Sequence, residues 1–465
     1  MQVVSSVVQV RCFWTEYDSQ EPYLRSDEAE CTGTAFCVNL PRWAKFDRIF
    51  LTNAHVVENA ENKTVYLRTA SMGNSYITAR VQCIVPRLDA AVVTININDE
   101  HVKWFDTMPI EKYIEFIKPA PIDMSRITCE AKEVLTVGFP QELELQLSRG
   151  WIAGRGNEDF SVDYIRLAMS VNCGNSGGPL CDLNGNVIGI VSSTLEESEG
   201  ISFAVPIYSI MRYLNIWYKI PLGRFPQWGF KLRLLSDAHA EEIHISGSGA
   251  VVYDIEPGSP AKGKLMEGDI LMQINEKPVD IFGMIHDNAT RSGRININNT
   301  EFLMTLTPKS TYLKIWRRGI RKIQIDPDII DYKFTQAMQE WMPPKYYIFG
   351  ELVFMACNKQ TLEDAPVCKS VSILEMAKRD HCMKEYIIVS KIKQNSYVSG
   401  YGEYIEEFDC ILKVGRTTIK NFQHFKLCMN DIQKRFNSGT QKRICFKTSA
   451  GICWFDLQKL LDNKI

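Results

Sequence analysis

The run CGNSGGPL, Cys173 to Leu180, sets a serine between glycines in a segment that cannot be helical. A nucleophilic hydroxyl requires such a setting. Small neighbours let a substrate carbonyl approach and let a turning backbone aim its N–H groups at one point. The N–H groups of Gly174 and Ser176 are the candidate pair, an oxyanion hole for a tetrahedral intermediate. Serine attacks poorly unaided and needs a base. Only two histidines, His55 and His101, precede Tyr218. His55, in LTNAHVV, directly follows an apolar strand-like run, whereas His101, in the polar NDEHVKW, reads as an exposed loop residue. The base is therefore His55, and it needs a carboxylate to fix its tautomer and stabilise the imidazolium. Asp89, in RLDAAVVTI, opens a strongly apolar run, where an acid is desolvated and aimed at one partner.

Taken singly, these pieces have plainer readings: a glycine-rich turn, a capping histidine, a turn acid. The conjunction decides. The order His55, Asp89, Ser176 is that of chymotrypsin and differs from subtilisin and the α/β-hydrolases. The surroundings agree, because GTAFCVNL from Gly33, RIFLTNAHVV from Arg48, KTVYLRTA from Lys63, ITARVQCIV from Ile77, AAVVTINI from Ala90 and NVIGIVSST from Asn186 are short runs rich in β-branched residues, separated by turn residues. Such regular short strands predict a β-barrel or sandwich.

The chain as a whole has 465 residues, enough for about three domains. Apolar residues make up 45% and charged residues 23%, which excludes a disordered chain. Fifty-three Lys and Arg against 55 Asp and Glu leave a net charge of -2, so no overall positive field exists to gather nucleic acid. No apolar run approaches the roughly 18 to 20 residues of a membrane span. Fourteen cysteines are scattered, with no CxxC pair and no histidine at metal spacing; they read as reduced, packed thiols, with no metal site and no cofactor expected. The opening MQVVSSVVQVRCFW has no basic flank and no small-residue cleavage site, so it reads as a strand beginning at once rather than a signal peptide, and a cytoplasmic or nuclear location is expected.

The predicted division is 1–219, 225–330 and 340–465, with linkers at IPLGRFPQ, Ile220 to Gln227, and WMPPKYY, Trp341 to Tyr347. EGDILMQIN, Glu267 to Asn275, lies over EFDCILKVG, Glu407 to Gly415, with Glu and Asp kept at the first and third places, so the last two segments read as copies of one module. The basic run WRRGIRK, Trp316 to Lys322, reads as a hairpin tip rather than a nucleic-acid patch.

TNAHVV, LDAAVV and GNSGGPL, followed by GISFAVP at Gly200 to Pro206, resemble the trypsin-like domain of the HtrA/Deg serine proteases over about 215 residues. Cys173 departs by standing where that family often has proline. The resemblance implies a mainly β fold, two six-stranded β-barrels with the triad in the cleft, His55 as base and acid, Asp89 as its orienter and Ser176 as nucleophile. If the specificity pocket is formed as in trypsin-like folds, Ser170 is its base and Ser192, Ser193 and Thr194 a wall; no acid stands at the base, so small or medium aliphatic P1 residues are expected. Gly154–Ser161 and Thr194–Gly200 fall where relatives carry regulatory loops.

PQWGFKLRL, Pro226 to Leu234, followed by GAVVYDIEPGSPAKGKLMEGDILMQINEKPV, Gly249 to Val279, resembles a PDZ domain of the Deg type. Its turn Trp228, Gly229, Phe230 would take a peptide carboxylate beside an open strand edge, with EPGSPA starting a helix. The last segment resembles a second, degenerate PDZ-like domain: FGELVFMAC, Phe349 to Cys357, is the candidate first strand, and the glycine before Asp409 is missing. It is expected to pack against other subunits or the first PDZ rather than capture a free terminus. The layout looks like the plant nuclear Deg branch, and relatives assemble as trimers and larger cages, so a homo-oligomer is expected. No GxxxxGK[ST] run is present. The expected function is ATP-independent cleavage of unfolded or damaged polypeptides; a catalytically silent PDZ scaffold is the alternative, and quality control and dedicated processing stay open.

Overall fold

The computed structural model describes residues 2–73, 75–100, 102–103, 109–125, 131–140, 144–156, 164–169, 171, 174–192, 201–217, 226–242, 244, 249–280, 282–286, 294–297, 310–330, 344–380, 382–401 and 404–462. The chain forms two compact units, residues 1–14 with 30–330 and residues 15–29 with 331–465.

The first unit holds two closed barrels of six strands each. Barrel one comprises β1 (Val7–Tyr17), β2 (Arg25–Cys37), β3 (Arg48–Thr52), β4 (Thr64–Arg68), β5 (Ile77–Val85) and β6 (Ala90–Ile95), in the order β1-β2-β3-β6-β5-β4. Barrel two comprises β7 (Glu133–Gly138), β8 (Gln146–Gly156), β9 (Tyr164–Ala168), β10 (Pro179–Cys181), β11 (Val187–Ser192) and β12 (Ile201–Pro206), in the order β10-β11-β12-β9-β8-β7. The opening residues Gln2–Ser6 form a 3-10 turn, so the first strand starts at Val7, later than the sequence suggested.

The apolar run AAVVTI lacks alternation because both faces of β6 are buried. Ala91, Val93 and Ile95 fill barrel one. Ala90 and Val92 join a second core in which Phe36 and Leu51 of barrel one meet Val137, Val187, Ile190 and Val205 of barrel two. This shared core fastens the barrels face to face by apolar burial.

The rest of the first unit is a sheet of β13 (Phe230–Leu234), β14 (Ala250–Ile255), β15 (Ile270–Ile274), β16 (Lys277–Pro278), β19 (Thr311–Trp316) and β20 (Ile320–Ile325), beside the pair β17 (Met284–His286) and β18 (Arg294–Asn296). EPGSPA does not start a helix. Gly258 and Gly263, at φ +76° and +80°, break the helical conformation on either side of Pro260, and the segment closes in short turns. WRRGIRK is the β19–β20 hairpin, with Arg317 N–H donating to the Gly319 carbonyl at 2.9 Å, and the Arg317 guanidinium is paired with the buried Asp269 carboxylate.

The second unit repeats this pattern. β21 (Tyr346–Phe349), β22 (Leu352–Ala356) and β23 (Ile387–Ile392) form one sheet; β24 (Ile411–Val414), β25 (Thr417–Thr418), β26 (Arg443–Thr448) and β27 (Ile452–Asp456) form another. The Val252 amide donates to the Asp269 carbonyl and accepts, at its own carbonyl, the Gly268 N–H; Val389, Asp409 and Phe408 do the same. Asp269 caps the Met266 N–H and Asp409 the Glu406 N–H, each at 2.8 Å. The expected strand in FGELVFMAC is β22; ahead of it Gly350, at φ +60°, turns β21 back onto β22, a pairing the sequence did not suggest. Asp409 draws its cation, Lys369, from the inserted helix Val367–Arg379 rather than from a hairpin tip.

At the missing glycine, Phe408 adopts φ +67°, matching Gly268 at +88°. A left-handed phenylalanine costs roughly 1–2 kcal/mol, and the burial of its ring among Met355, Cys357, Tyr386 and Ile388 offsets that. Glycine is ordinarily the poorer substitute, but here Phe408→Gly should destabilise less than Phe408→Ala, by about 1 kcal/mol. Denaturant midpoints of the two variants check this order.

Candidate active site

Asp89 ends a 3-10 turn, Pro86–Leu88, in the left-handed conformation at φ 41°, its N–H donating to the Pro86 carbonyl at 3.0 Å. An aspartate tolerates that conformation. From there its carboxylate reaches the short helix Ala54–Val57, accepting from the His55 backbone N–H at 3.2 Å and lying 2.9 Å and 3.0 Å from His55 Nδ1. The His55 and Asp89 side chains are 22% and 15% exposed, so one flank is dry and the other open. With Nδ1–H donating to the carboxylate, the neutral imidazole presents its lone pair at Nε2. Asn53, buried just ahead of His55, donates from Nδ2 to the Asp89 carbonyl at 2.8 Å and ties the two segments together.

Ser176 stands in a loop that bridges the barrels. Its carbonyl accepts from the Thr34 N–H of β2 at 2.8 Å, while the Gly177 N–H donates to the Val191 carbonyl of β11 at 2.9 Å. Gly177, at φ +85°, is the closest approach: a Cβ there would fall 2.1 Å from the Thr34 carbonyl oxygen and 2.3 Å from Thr52 Oγ1. Gly174 is also left-handed, at φ +97°. The structure thus pairs His55 with Asp89 in barrel one and holds the Ser176 backbone against β2 of the same barrel.

Ser192, expected in the pocket wall, also meets the acid. Its hydroxyl donates to Asp89 Oδ2 at 2.8 Å and the residue is 1% exposed. Its hydroxyl thus joins His55 in saturating the acid. The sequence offered no sign of this, since Asp89 and Ser192 are 103 positions apart. Tyr164 was also missed; burial first, then the nearby Asp89 charge, push its phenol up to about 12. Ser170, Cys173, Ser193, Thr194 and His101 lie outside the described residues, as do 194–200 and much of 154–161.

The turn Trp228, Gly229, Phe230 is tightly held. The Gly229 carbonyl accepts from the Glu256 N–H at 2.9 Å and from Ser259 Oγ at 3.2 Å, the Trp228 carbonyl from the Ala261 N–H at 3.1 Å, and the two rings stack at 5.8 Å. A Cβ on Gly229 would strike Ser259 Cβ at 2.1 Å. β13 leads away from this turn as an edge strand, paired among the described residues only with β14. Its counterpart β22 is paired on both sides, with β23 and with β21. Tyr347 of β21 packs its ring edge-on against Phe425 and donates its hydroxyl to Asn430 Oδ1 at 2.8 Å, both on the helix Phe422–Asn437. Where the first module has Gly229, the second has Glu351, fully buried, its carboxylate accepting from the N–H groups of Tyr397 and Val398.

Comparisons with known proteins agree with this architecture. The family "trypsin-like peptidase domain" matches residues 33–190, and PDZ domain families match residues 224–291 and 336–450. The chain is 27% identical over 332 residues to Serine protease HTR4 of Rattus norvegicus, covering 66% of this chain and 61% of that protein. It is 24% identical over 443 residues to Putative protease Do-like 3, mitochondrial, of Arabidopsis thaliana, covering 90% of this chain and 71% of that protein. A solved HtrA-type protease, an AlgW variant with decapeptide, superposes with a TM-score of 0.51 at 18% identity over 71% of this chain and 95% of its own. The chain carries a trypsin-like peptidase domain and two PDZ domains and is a homologue of the HtrA/Deg serine proteases.

Proposed function

We propose that the chain is a serine endopeptidase that works by acyl transfer. Ser176 attacks the scissile carbonyl, His55 takes its proton at Nε2 and returns it to the leaving amine, and Asp89 holds the imidazole through Nδ1. The N–H groups of Gly174 and Ser176 stabilise the oxyanion. The observation that carries this reading is the doubly held Asp89 carboxylate, with His55 Nδ1 at 2.9 Å and the buried Ser192 hydroxyl at 2.8 Å. The His55 backbone N–H, at 3.2 Å, is a third donor to the same carboxylate. Unfolded or damaged polypeptides are the proposed substrates, cleaved without ATP, and a homo-oligomer, a trimer or a multiple of trimers, is the proposed assembly; the likeness to HtrA proteases supports both.

The first module is the proposed peptide-binding site, because its edge strand and glycine turn are available together. The second is proposed to capture no terminus, because β21 holds the corresponding edge and the buried Glu351 carboxylate would repel an incoming one.

Two measurements test these assignments. The wild type should react with a fluorophosphonate and cleave β-casein, and Ser176→Ala should do neither; Asp89→Asn should still fold but lose roughly 10³- to 10⁴-fold in kcat. A wild type inert in every oligomeric or peptide-activated state would instead establish a scaffold. Calorimetric titration with peptides bearing a free C-terminus should give one site per chain, abolished by Gly229→Ala and retained by Glu351→Gln; two sites would refute the closed second module.

A further inference from the structure

Thr34 is fully buried on β2 where the two barrels meet. It grips the nucleophile loop twice. Its N–H donates to the Ser176 carbonyl at 2.8 Å. Its hydroxyl donates to the Gly174 carbonyl at 2.6 Å and accepts from the Phe139 N–H at 3.1 Å. A hydroxyl has a single proton and the Phe139 amide can only donate, so that proton is committed to the Gly174 oxygen. The Thr34 carbonyl is in turn held by the Thr52 hydroxyl at 2.7 Å. The carbonyls of both residues whose N–H groups form the proposed oxyanion hole are therefore bound by one residue of the opposite barrel.

Gly174 has no Cβ, and at φ +97° its peptide groups have wide rotational freedom. The bond from Thr34 Oγ1 fixes the 174–175 peptide group, the one that carries the Gly174 carbonyl. We propose that Thr34 is a positioning residue of the oxyanion loop: by anchoring the 174–175 and 176–177 peptide groups through their carbonyls it brackets the 175–176 peptide between them and so fixes the direction of the Ser176 N–H; this rests on the protease reading above. The residue touches no substrate, and its effect falls on the transition state, where the oxyanion develops, rather than on ground-state binding.

The test compares Thr34→Val, which keeps the shape but removes the hydroxyl, with Thr34→Ser, which keeps the hydroxyl but removes the methyl. Steady-state peptide cleavage is normalised to the folded fraction measured by near-ultraviolet circular dichroism. Thr34→Val is expected to lose about 10- to 100-fold in kcat with KM within about twofold, in line with the sensitivity of catalysis to small misplacements, and to bind a peptide boronate more weakly by a similar factor. Thr34→Ser is expected to stay within about threefold of the wild type in both. Thr34→Ala replaces the valine variant where that one does not fold. Unchanged kcat and boronate affinity in an active, folded hydroxyl-free variant overturn the inference alone, as does an equal loss in Thr34→Ser. A wild type that is inert overturns the protease reading and this inference with it.

Discussion

Two backbones approach each other at the barrel junction more closely than any side chain permits. A Cβ at Gly177 would fall 2.1 Å from the Thr34 carbonyl oxygen, so residue 177 must be glycine and Ser176 is fixed against barrel one. Apolar burial in the shared core brings the barrels together. Burial is non-directional, however, and sets a separation, not an alignment. The alignment comes from the directed bonds around Thr34, Thr52 and Val191. Loop and barrels together determine whether the imidazole and hydroxyl belong to one site.

The paired modules show how one backbone plan accepts different side chains. Asp269 and Asp409 hold equivalent turns, yet one is neutralised by Arg317 from a hairpin and the other by Lys369 from an inserted helix. A buried carboxylate needs a partner wherever the chain can supply it. At the turn itself, glycine in one copy and phenylalanine in the other adopt the same left-handed φ. The backbone hydrogen bonds on both sides impose that conformation, and the ring's packing tolerates it.

Much of this was legible in the sequence. Short β-branched runs marked most barrel strands, and the glycine-framed Ser176, lone strand-end His55 and Asp89 marked the site, because each carries its chemistry in its immediate neighbours. The hidden features depend on contacts far apart in the chain. Ser192 reads only as a pocket-wall residue until β11 lies beside Asp89. Thr34 reads as one more threonine in a strand until the loop at Gly174 folds over it. β21 stayed hidden because its residues, Tyr346–Phe349, lie mostly ahead of FGELVFMAC, in and just after the segment read as a linker, whereas β22 within that run is buried along its whole length.

An unpaired strand attracts more than its intended ligand, since any extended chain can add to it and seed self-association. Pairing β22 with β21 closes that edge in the second module and leaves β21 as the outer strand of its sheet. The first module keeps β13 open and turns the exposed side chains of Lys231 and Arg233 outward along it, a charge pattern that discourages a second copy of the same strand from pairing while leaving room for an acidic or neutral guest. The edge beside the glycine turn is thus a short stretch of five residues, two of them basic.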